Sequence, residues 1–183
     1  MMRAVLLAAA LLAAPALAAV DKPEPALRST PDLGKAEAQC RPNEQGPAVM
    51  VAVLGLKDRK GNLKAEIYPD NDADFLADDN LLIMAGKTFR RIEAPVPPVG
   101  VVELCLRLPG PGSYALTVLH DRDANRKFGL SSDGVGFAGN PKLGLSKPKA
   151  AAARFVAGPG LTSISVRLNY RRGLFSFGPL KEQ

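Results

Sequence analysis

Short segments in which apolar and polar residues alternate are the feature that most constrains how this chain can fold. The clearest segment lies near the C-terminus, where polar neighbours separate Ile164, Val166, Leu168 and Tyr170. Successive side chains of an extended strand point to opposite faces, so this period of two predicts a strand with one buried face. Residues 63–68 and 101–108 repeat the pattern.

Other apolar runs extend this pattern to most of the chain. Residues 48–56 are rich in Val, residues 114–120 are apolar on both faces, and residues 153–156 form a further short run. The loop at 57–62 predicts a hairpin between the strands on either side of it. We count about seven short strands with Gly- and Pro-rich turns, and no amphipathic helix. The prediction is an all-β fold, a β-sandwich of immunoglobulin-like or prealbumin-like type.

The N-terminus carries the features of an export signal. Arg3 is followed by an apolar run that ends at Pro15, and Ala16-Leu17-Ala18 fits the small-x-small pattern of a cleavage site. The alternative is an uncleaved anchor, although the run is short for a membrane-spanning helix. We therefore expect residues 1–18 to be a signal peptide and the mature protein to be periplasmic or secreted, without a membrane span.

The mature chain divides into three parts. Residues 19–39 are rich in Pro, Ala and charge, which predicts a disordered leader. Residues 40–172 hold the predicted strands and form the expected β-sandwich domain, and residues 173–183 are expected to be a peripheral tail. The net charge of +6 comes from interspersed acids and bases with no basic helix, which argues against nucleic acid as a partner.

Two cysteines, Cys40 and Cys105, lie in the predicted mature chain. In an oxidising compartment the first expectation is a disulfide, and the alternative is two free thiols. A cysteine metal site is disfavoured because there is no CxxC motif and only one histidine, His120. Cys105 would point away from the leucine face of its strand, so the bond would tie the leader to a sheet edge or an outer face.

The central stretch LPGPGSYALTVLHDRDANRKF resembles the signature of an uncharacterised family of secreted bacterial proteins, domain of unknown function 2141. The matching positions are Leu108-Pro109, Gly112, Tyr114-Ala115, His120-Asp121, Asn125 and Lys127-Phe128. The resemblance covers roughly residues 48–170 and implies an exported β-sandwich, but it implies no activity. Two features depart from the family: Arg126 stands where its loop usually has glycine, and the cysteine pair is not a family trait.

Three oxygen-bearing side chains at alternate positions, Asp121, Asp123 and Asn125, suggest a calcium loop, with Asp133 as a further ligand. Arg126 and Ser132 occupy the positions where such a loop needs glycine and glutamate. The alternative, which these departures favour, is a turn in which the Asp and Asn side chains cap backbone N–H groups. His120 is expected to hold the following loop by a hydrogen bond, because neighbouring strand residues face opposite ways and cannot form a His120–Asp121 dyad.

A second acidic stretch, residues 70–79, could lie at either end of the sandwich. A hairpin turn at Gly86-Lys87 would place it beside Asp121, whereas a single strand over 81–93 would place it at the opposite end. No complete catalytic set can be assembled from the sequence. We therefore expect a non-enzymatic binding or structural module with a possible calcium ion in the 121–133 loop. The alternative is a small-ligand carrier or an enzyme whose site is a deep pocket in the 121–151 loop, lined by His120.

Overall fold

The computed structural model describes residues 27–144, 146–174 and 176–180. These residues form ten strands in two sheets, together with two short α-helices and one 3-10 turn. The all-β sandwich predicted from the alternation is confirmed, with ten strands in place of about seven. The immunoglobulin-like or prealbumin-like subtype stays a prediction.

The smaller sheet has three strands in the order β4-β1-β8. They are β4 (Glu103–Arg107), β1 (Ala48–Leu54) and β8 (Leu161–Arg167). The central strand β1 pairs antiparallel with β4 and parallel with β8. Val49, Val51 and Val53 of β1 face the core, and the intervening Met50 and Ala52 are half-buried.

The larger sheet has seven strands, six of them in the order β10-β9-β6-β5-β2-β3, and β7 also pairs with β5. In that order they are β10 (Phe177–Pro179), β9 (Asn169–Arg171), β6 (Gly134–Phe137), β5 (Gly112–Asp121), β2 (Asn62–Pro69) and β3 (Arg90–Pro95), and β7 is Arg154–Ala157. The longest strand, β5, pairs with β2 along most of its length and with β6 and β7 on its other side. Pro95 ends β3 at the sheet edge, where proline costs no ladder hydrogen bond.

The main core lies between the two sheets. Leu116 and Val118 of β5 and Ile67 of β2 face it from the larger sheet, and Val51 and Leu106 face it from the smaller sheet. All five side chains are fully buried. A second apolar cluster on the outer face of the larger sheet packs Phe75, Leu82, Phe89 and the 3-10 turn Ala150–Ala153 against the strands.

Two local predictions were wrong. Strands β1 and β2 lie in different sheets, so the connection between them crosses the sandwich and is no hairpin. The second wrong prediction is a strand at the apolar run 81–85. Residues 81–84 lie in α2 (Asp79–Met84), and Leu82 is buried. An apolar run of this length fits a strand and a helix equally well, and the tertiary packing of Leu82 decides between them.

The part of the expected leader that the structure describes, residues 27–39, is ordered. It contains α1 (Lys35–Ala38), whose Ala38 is fully buried, and Gln39 forms a β-bridge with Leu106. The predicted disulfide is present between Cys40 and Cys105. Local composition favoured disorder, but the disulfide and the Gln39 bridge attach this segment to β4 of the smaller sheet, and the backbone N–H of Arg91 in β3 donates to the Gly34 carbonyl at 3.2 Å. The predicted signal peptide, residues 1–18, lies outside the described residues.

Among the described helices, none has the length and apolar character needed to cross a membrane. The predicted peripheral tail contributes the short edge strand β10, which pairs with β9.

Candidate functional site

Strand β5 presents two different sets of side chains near its C-terminal end. Leu116, Val118 and His120 share the inner face, whereas Thr117 and Leu119 line a cleft on the outer face. The split follows from the alternation of strand residues. His120 and Asp121 therefore point to opposite sides of the sheet, as expected from their adjacent positions.

His120 lies at the C-terminal end of the inner face of β5 and belongs to a chain of hydrogen bonds. Its Nε2 lies 2.8 Å from the carbonyl of Lys60, and its Nδ1 lies 2.6 Å from the hydroxyl of Tyr170. A carbonyl only accepts, so Nε2 carries the proton, and the Tyr170 hydroxyl donates to Nδ1 of the neutral ring. The same hydroxyl accepts the backbone N–H of Lys57 at 3.2 Å.

The buried position of His120 favours its neutral form. Burial is the main reason that the pKa of His120 lies below its ordinary value, and the Lys60 carbonyl opposes this shift. Burial likewise raises the pKa of the Tyr170 hydroxyl. His120 thus holds the preceding 55–61 loop and β9, whereas the sequence prediction had it holding the loop that follows.

The carboxylates of Asp121 and Asp133 brace the 122–133 loop by accepting hydrogen bonds from its backbone. The carboxylate of Asp121 accepts the backbone N–H groups of Asn125 and Arg126 at 3.1 and 2.7 Å. Asp133 accepts those of Arg122 and Gly129 at 3.0 and 2.7 Å. These are the backbone caps that the turn hypothesis predicts. Burial is the largest cause that raises the pKa of Asp121, and hydrogen bonding to Asp123 and the charge of Asp133 add to it.

Three of the four predicted calcium ligands converge. Asp121, Asp123 and Asp133 each offer a carboxylate oxygen, and these oxygens lie within 4.8 Å of one another. The Asn125 side chain is hydrogen-bonded within the loop: its amide donates to Asp123 at 2.8 Å, and its oxygen accepts the N–H of Lys127 at 2.7 Å. The calcium assignment stays a prediction, since the same carboxylates already serve the loop backbone.

Arg122 links this loop to the 55–61 loop, a role that the sequence did not suggest. Its guanidinium forms an ion pair with Asp58, and its Nη1 donates to the carbonyl of Ser132 at 2.7 Å. The hydrogen bond from Arg122 is the main cause that lowers the pKa of Asp58. Tyr170 was recognised only as a strand residue, because nothing in the sequence indicates that β9 lies beside His120.

The second acidic stretch lies at the opposite end of the sandwich from Asp121. It follows Pro69, whose partner in β5 is Tyr114, whereas Asp121 pairs with Asn62 at the other end of β2. The hypothesis that places the acidic stretch beside Asp121, where the two could share a cation, is therefore wrong. The acids are neutralised locally instead, by the ion pairs Asp74–Lys87, Asp79–Arg91 and Asp70–Arg154.

The outer face carries an apolar cleft with a volume of about 380 Å³. Strands β2, β5 and β6 form its floor, and parts of the connection between β5 and β7 form its walls. Its apolar lining includes Leu119, Phe128, Leu130, Val135, Phe137 and Leu143. Phe128 and Leu130 are 48% and 50% exposed, so the walls present apolar surface to solvent. His120 does not line the cleft.

Charged side chains in the cleft wall come from β2 and from the 146–149 segment. Glu66 accepts hydrogen bonds from the Tyr68 hydroxyl at 2.9 Å and from Nε of Arg91 at 2.8 Å, and the ammonium of Lys64 lies 3.2 Å away. The Lys147 ammonium donates to the carbonyl of Phe75. Its Nζ also lies 5.6 Å from the centre of the Phe75 ring.

Sequence reasoning placed a possible pocket in the 121–151 loop and named His120 as its lining, but it did not identify the apolar residues that line the cleft. The apolar residues of that loop are scattered, and only the fold brings them over Leu119 and Val135. The apolar run of β5 carried part of the signal, because apolar residues on both faces of a strand predict that both faces are covered.

Comparisons with known proteins do not assign an activity. The sequence profile of a bacterial family, described as "Uncharacterized protein conserved in bacteria (DUF2141)", matches residues 51–165. Searches among curated proteins and among solved structures found no significant match. The matched span begins in β1 and ends in β8, so it includes the cleft floor and the polar loop bracing.

Proposed function

Because the chain belongs to the family of uncharacterised bacterial proteins DUF2141, whose description names no activity, we propose a function from geometry: an exported β-sandwich that binds a small apolar ligand. The proposed site is the cleft on the outer face of the larger sheet. The protein would act as a binding or carrier module and not as an enzyme.

The observation that carries this proposal is the composition of the cleft. Ligand pockets typically have volumes of roughly 300–1,000 Å³ and are lined mainly by apolar side chains with a few polar groups. The cleft has a volume of about 380 Å³ and is lined chiefly by leucine, phenylalanine and valine. Half-exposed Phe128 and Leu130 would lose water contact when a ligand enters.

The chemistry of the lining favours binding over catalysis. The residues that line the cleft include no histidine and no cysteine. His120 lies on the inner face, where both ring nitrogens are already hydrogen-bonded. A general base needs a free nitrogen within reach of a substrate, and this ring has none.

Export is supported by the disulfide. A bond between Cys40 and Cys105 is typical of proteins that fold in an oxidising compartment. The predicted signal peptide, residues 1–18, agrees with this. Mass spectrometry of the protein purified from the cell envelope and the medium would detect cleavage after Ala18 and the bonded cysteines together.

Ligand binding can be tested with N-phenylnaphthylamine, a neutral dye that fluoresces in apolar sites. We expect saturable binding at one site per chain. The double variant Phe128→Ser, Leu130→Ser removes exposed apolar surface from the cleft wall and should weaken the dye affinity about tenfold. The control is Val156→Ser, since Val156 is 69% exposed but does not line the cleft. Absence of dye binding, or equal effects of the two variants, would contradict the proposal.

A second candidate function is the predicted calcium site, which the convergence of Asp121, Asp123 and Asp133 favours. A bound cation would neutralise three carboxylates; burial is the largest cause that raises the pKa of Asp121, and the nearby Asp123 and Asp133 add to it. For millimolar affinity, ten times that concentration of calcium would stabilise the fold by about 1.4 kcal/mol, equivalent to roughly 3–6 °C in melting temperature.

The calcium hypothesis is tested by thermal melts with and without calcium. Asp123→Ala should abolish the shift, because it removes an exposed carboxylate of the cluster and leaves the buried loop braces in place. Asp78→Ala removes an exposed acid outside the cluster and should retain the shift. A melting temperature that calcium does not move would exclude this function.

A further inference from the structure

We propose that the ligand of the cleft is a single-chain amphiphile with an anionic head group, such as a fatty acid carboxylate, and that Lys147 binds the head. This inference rests on the proposed function and adds the chemical class of the ligand. It follows from the charges that line the cleft and from the way each charge is compensated.

The ionisable residues of the cleft lining are Lys64, Glu66 and Lys147. Glu66 is the only acid among them, and Lys64 and Arg91 lie within 3.2 and 2.8 Å of its carboxylate. Two cations thus surround one carboxylate, and the Tyr68 hydroxyl donates to it as well. Glu66 is already compensated and has no need of a cationic ligand.

Lys147 differs from Lys64 in that its contacts are neutral. Its ammonium donates to the Phe75 carbonyl and lies over the Phe75 ring. Across the described ranges, no ion pair includes Lys147. An ammonium has three donors, and one carbonyl uses one of them. The wall of the cleft therefore carries an uncompensated positive charge with donors available for an anion.

The remaining lining suits a hydrocarbon chain. Leu119, Phe137 and Leu143 offer no hydrogen-bond partners, and Thr117 donates its hydroxyl to the Gly136 carbonyl at 3.2 Å. A volume of about 380 Å³ has room for about a dozen heavy atoms, if each takes the ~30 Å³ of a liquid water. A medium-length acyl chain meets this limit. Its carboxylate can form a charge-assisted hydrogen bond with Lys147.

The competing ligand classes are distinguished by charge. A neutral apolar molecule would use the walls equally well but would leave the Lys147 ammonium uncompensated. A cationic amphiphile would bring like charge towards Lys147, which disfavours binding. The net charge of +6 on the whole chain also favours the approach of an anion.

The test compares two twelve-carbon amphiphiles by isothermal titration calorimetry below their micelle concentrations. Dodecanoate should bind about tenfold more tightly than dodecyltrimethylammonium, and added salt should narrow the difference. Lys147→Gln should weaken dodecanoate binding about tenfold more than it weakens the binding of neutral N-phenylnaphthylamine. Lys147→Arg should retain most of the dodecanoate affinity.

Lys142→Gln is the matched control, because Lys142 is an exposed lysine of the same connection that does not line the cleft. Equal affinities for the two amphiphiles, or equal effects of Lys147→Gln and Lys142→Gln, would overturn this inference and leave the proposed function intact. Failure of the neutral dye to bind would overturn both. Circular dichroism of each variant checks that the fold is retained.

Discussion

Strand β5 carries apolar side chains on both faces of the larger sheet, yet the two faces are covered in different ways. The inner face packs against the smaller sheet, and its central side chains, Leu116 and Val118, are fully buried. The outer face is covered at one end by the cluster around Phe75. At its other end it is left open as the cleft above Leu119.

Within one sheet, the inner face therefore contributes to stability, and the open part of the outer face is available for ligand binding. Packing between two sheets is continuous, so each inner side chain contributes to the free energy of folding. Connections that lie over a sheet leave gaps between their anchoring residues, and a gap with apolar walls can accept a ligand. Replacing a large side chain by a small one should therefore lower the free energy of unfolding strongly on the inner face. On the outer face the same change should cost less stability and should alter ligand affinity.

The largest expected effect compares the same substitution on the two faces of β5. Leu116→Ala should lower the free energy of unfolding by about 3–5 kcal/mol, because it opens a closed cavity in the core. Leu119→Ala should cost about 1–2 kcal/mol, since the space it leaves joins a cleft already open to water. Urea unfolding of the oxidised protein measures both. Equal losses would show that the two faces are packed alike.

How far the sequence predicts this arrangement depends on the range of the interactions involved. The alternation in 63–68 and the apolar run 114–120 located β2 and β5, because a strand pattern is local. The same residues did not reveal that β1 and β2 lie in different sheets, since sheet membership depends on partners distant in sequence. Strand β6 was missed because two of its four residues, Gly134 and Gly136, carry no side chain to show a period.

The site was predictable to the same local extent. The Asp121 and Asp133 braces follow from turn chemistry within one loop, and that hypothesis was formed from the sequence. The Tyr170 partner of His120 and the Asp58 partner of Arg122 lie 50 and 64 residues away in sequence. Neither pairing leaves a local pattern, so only the fold brings these groups together.

The second prediction concerns close approach at the polar end of the inner face. A Cβ added at Gly134 would lie 2.3 Å from Cε1 of Tyr170, so Gly134→Ala should displace the ring that holds His120. We expect a loss of about 1–3 kcal/mol in the free energy of unfolding. Gly144→Ala on the outer side meets no atom within 4 Å and should change stability by less than about 0.5 kcal/mol. Denaturant unfolding measures the stability of both variants. Similar losses would contradict the close contact between Gly134 and the Tyr170 ring.

The third prediction uses pH, because His120 is an inner-face group that titrates. Its pKa is lowered in the folded state, so between that value and the ordinary value near 6.5 the unfolded chain binds more protons. Stability contributed by neutral His120 is thus present above about pH 6.5 and is lost as the pH falls towards the folded pKa, at up to about 1.4 kcal/mol per pH unit.

Urea unfolding of the parent protein and of His120→Gln at pH 7, 6 and 5 tests the predicted direction of this pH dependence. The variant should be less stable at pH 7, and the difference from the parent should shrink at pH 5. Asp58 and Arg122 remain in the variant, so the comparison measures the loss of the ring together with its electrostatic interactions with these two groups. A difference that stays constant with pH would mean that His120 contributes packing alone.

The smallest expected effect lies in the loop that borders the outer face. Arg126 has a φ of +66°, a left-handed conformation that costs a residue with a Cβ about 1–2 kcal/mol. Arg126→Gly should relieve this strain but lose the ion pair with Glu93 at 3.5 Å, which is solvent-exposed on the arginine side. Glycine also loses more backbone entropy on folding. The net expectation is a gain of about 0.5 kcal/mol.

Arg126→Ala separates these contributions, because it removes the ion pair and keeps the strain. Its melting temperature should lie below that of Arg126→Gly, and a higher value for the alanine variant would contradict the strain argument. Neither variant should alter dye binding, since Arg126 does not line the cleft. A change in dye affinity would instead mean that the bracing of the 122–133 loop sets the shape of the cleft wall at Phe128. The outer face would then depend on its loop as strictly as the inner face depends on its opposing sheet.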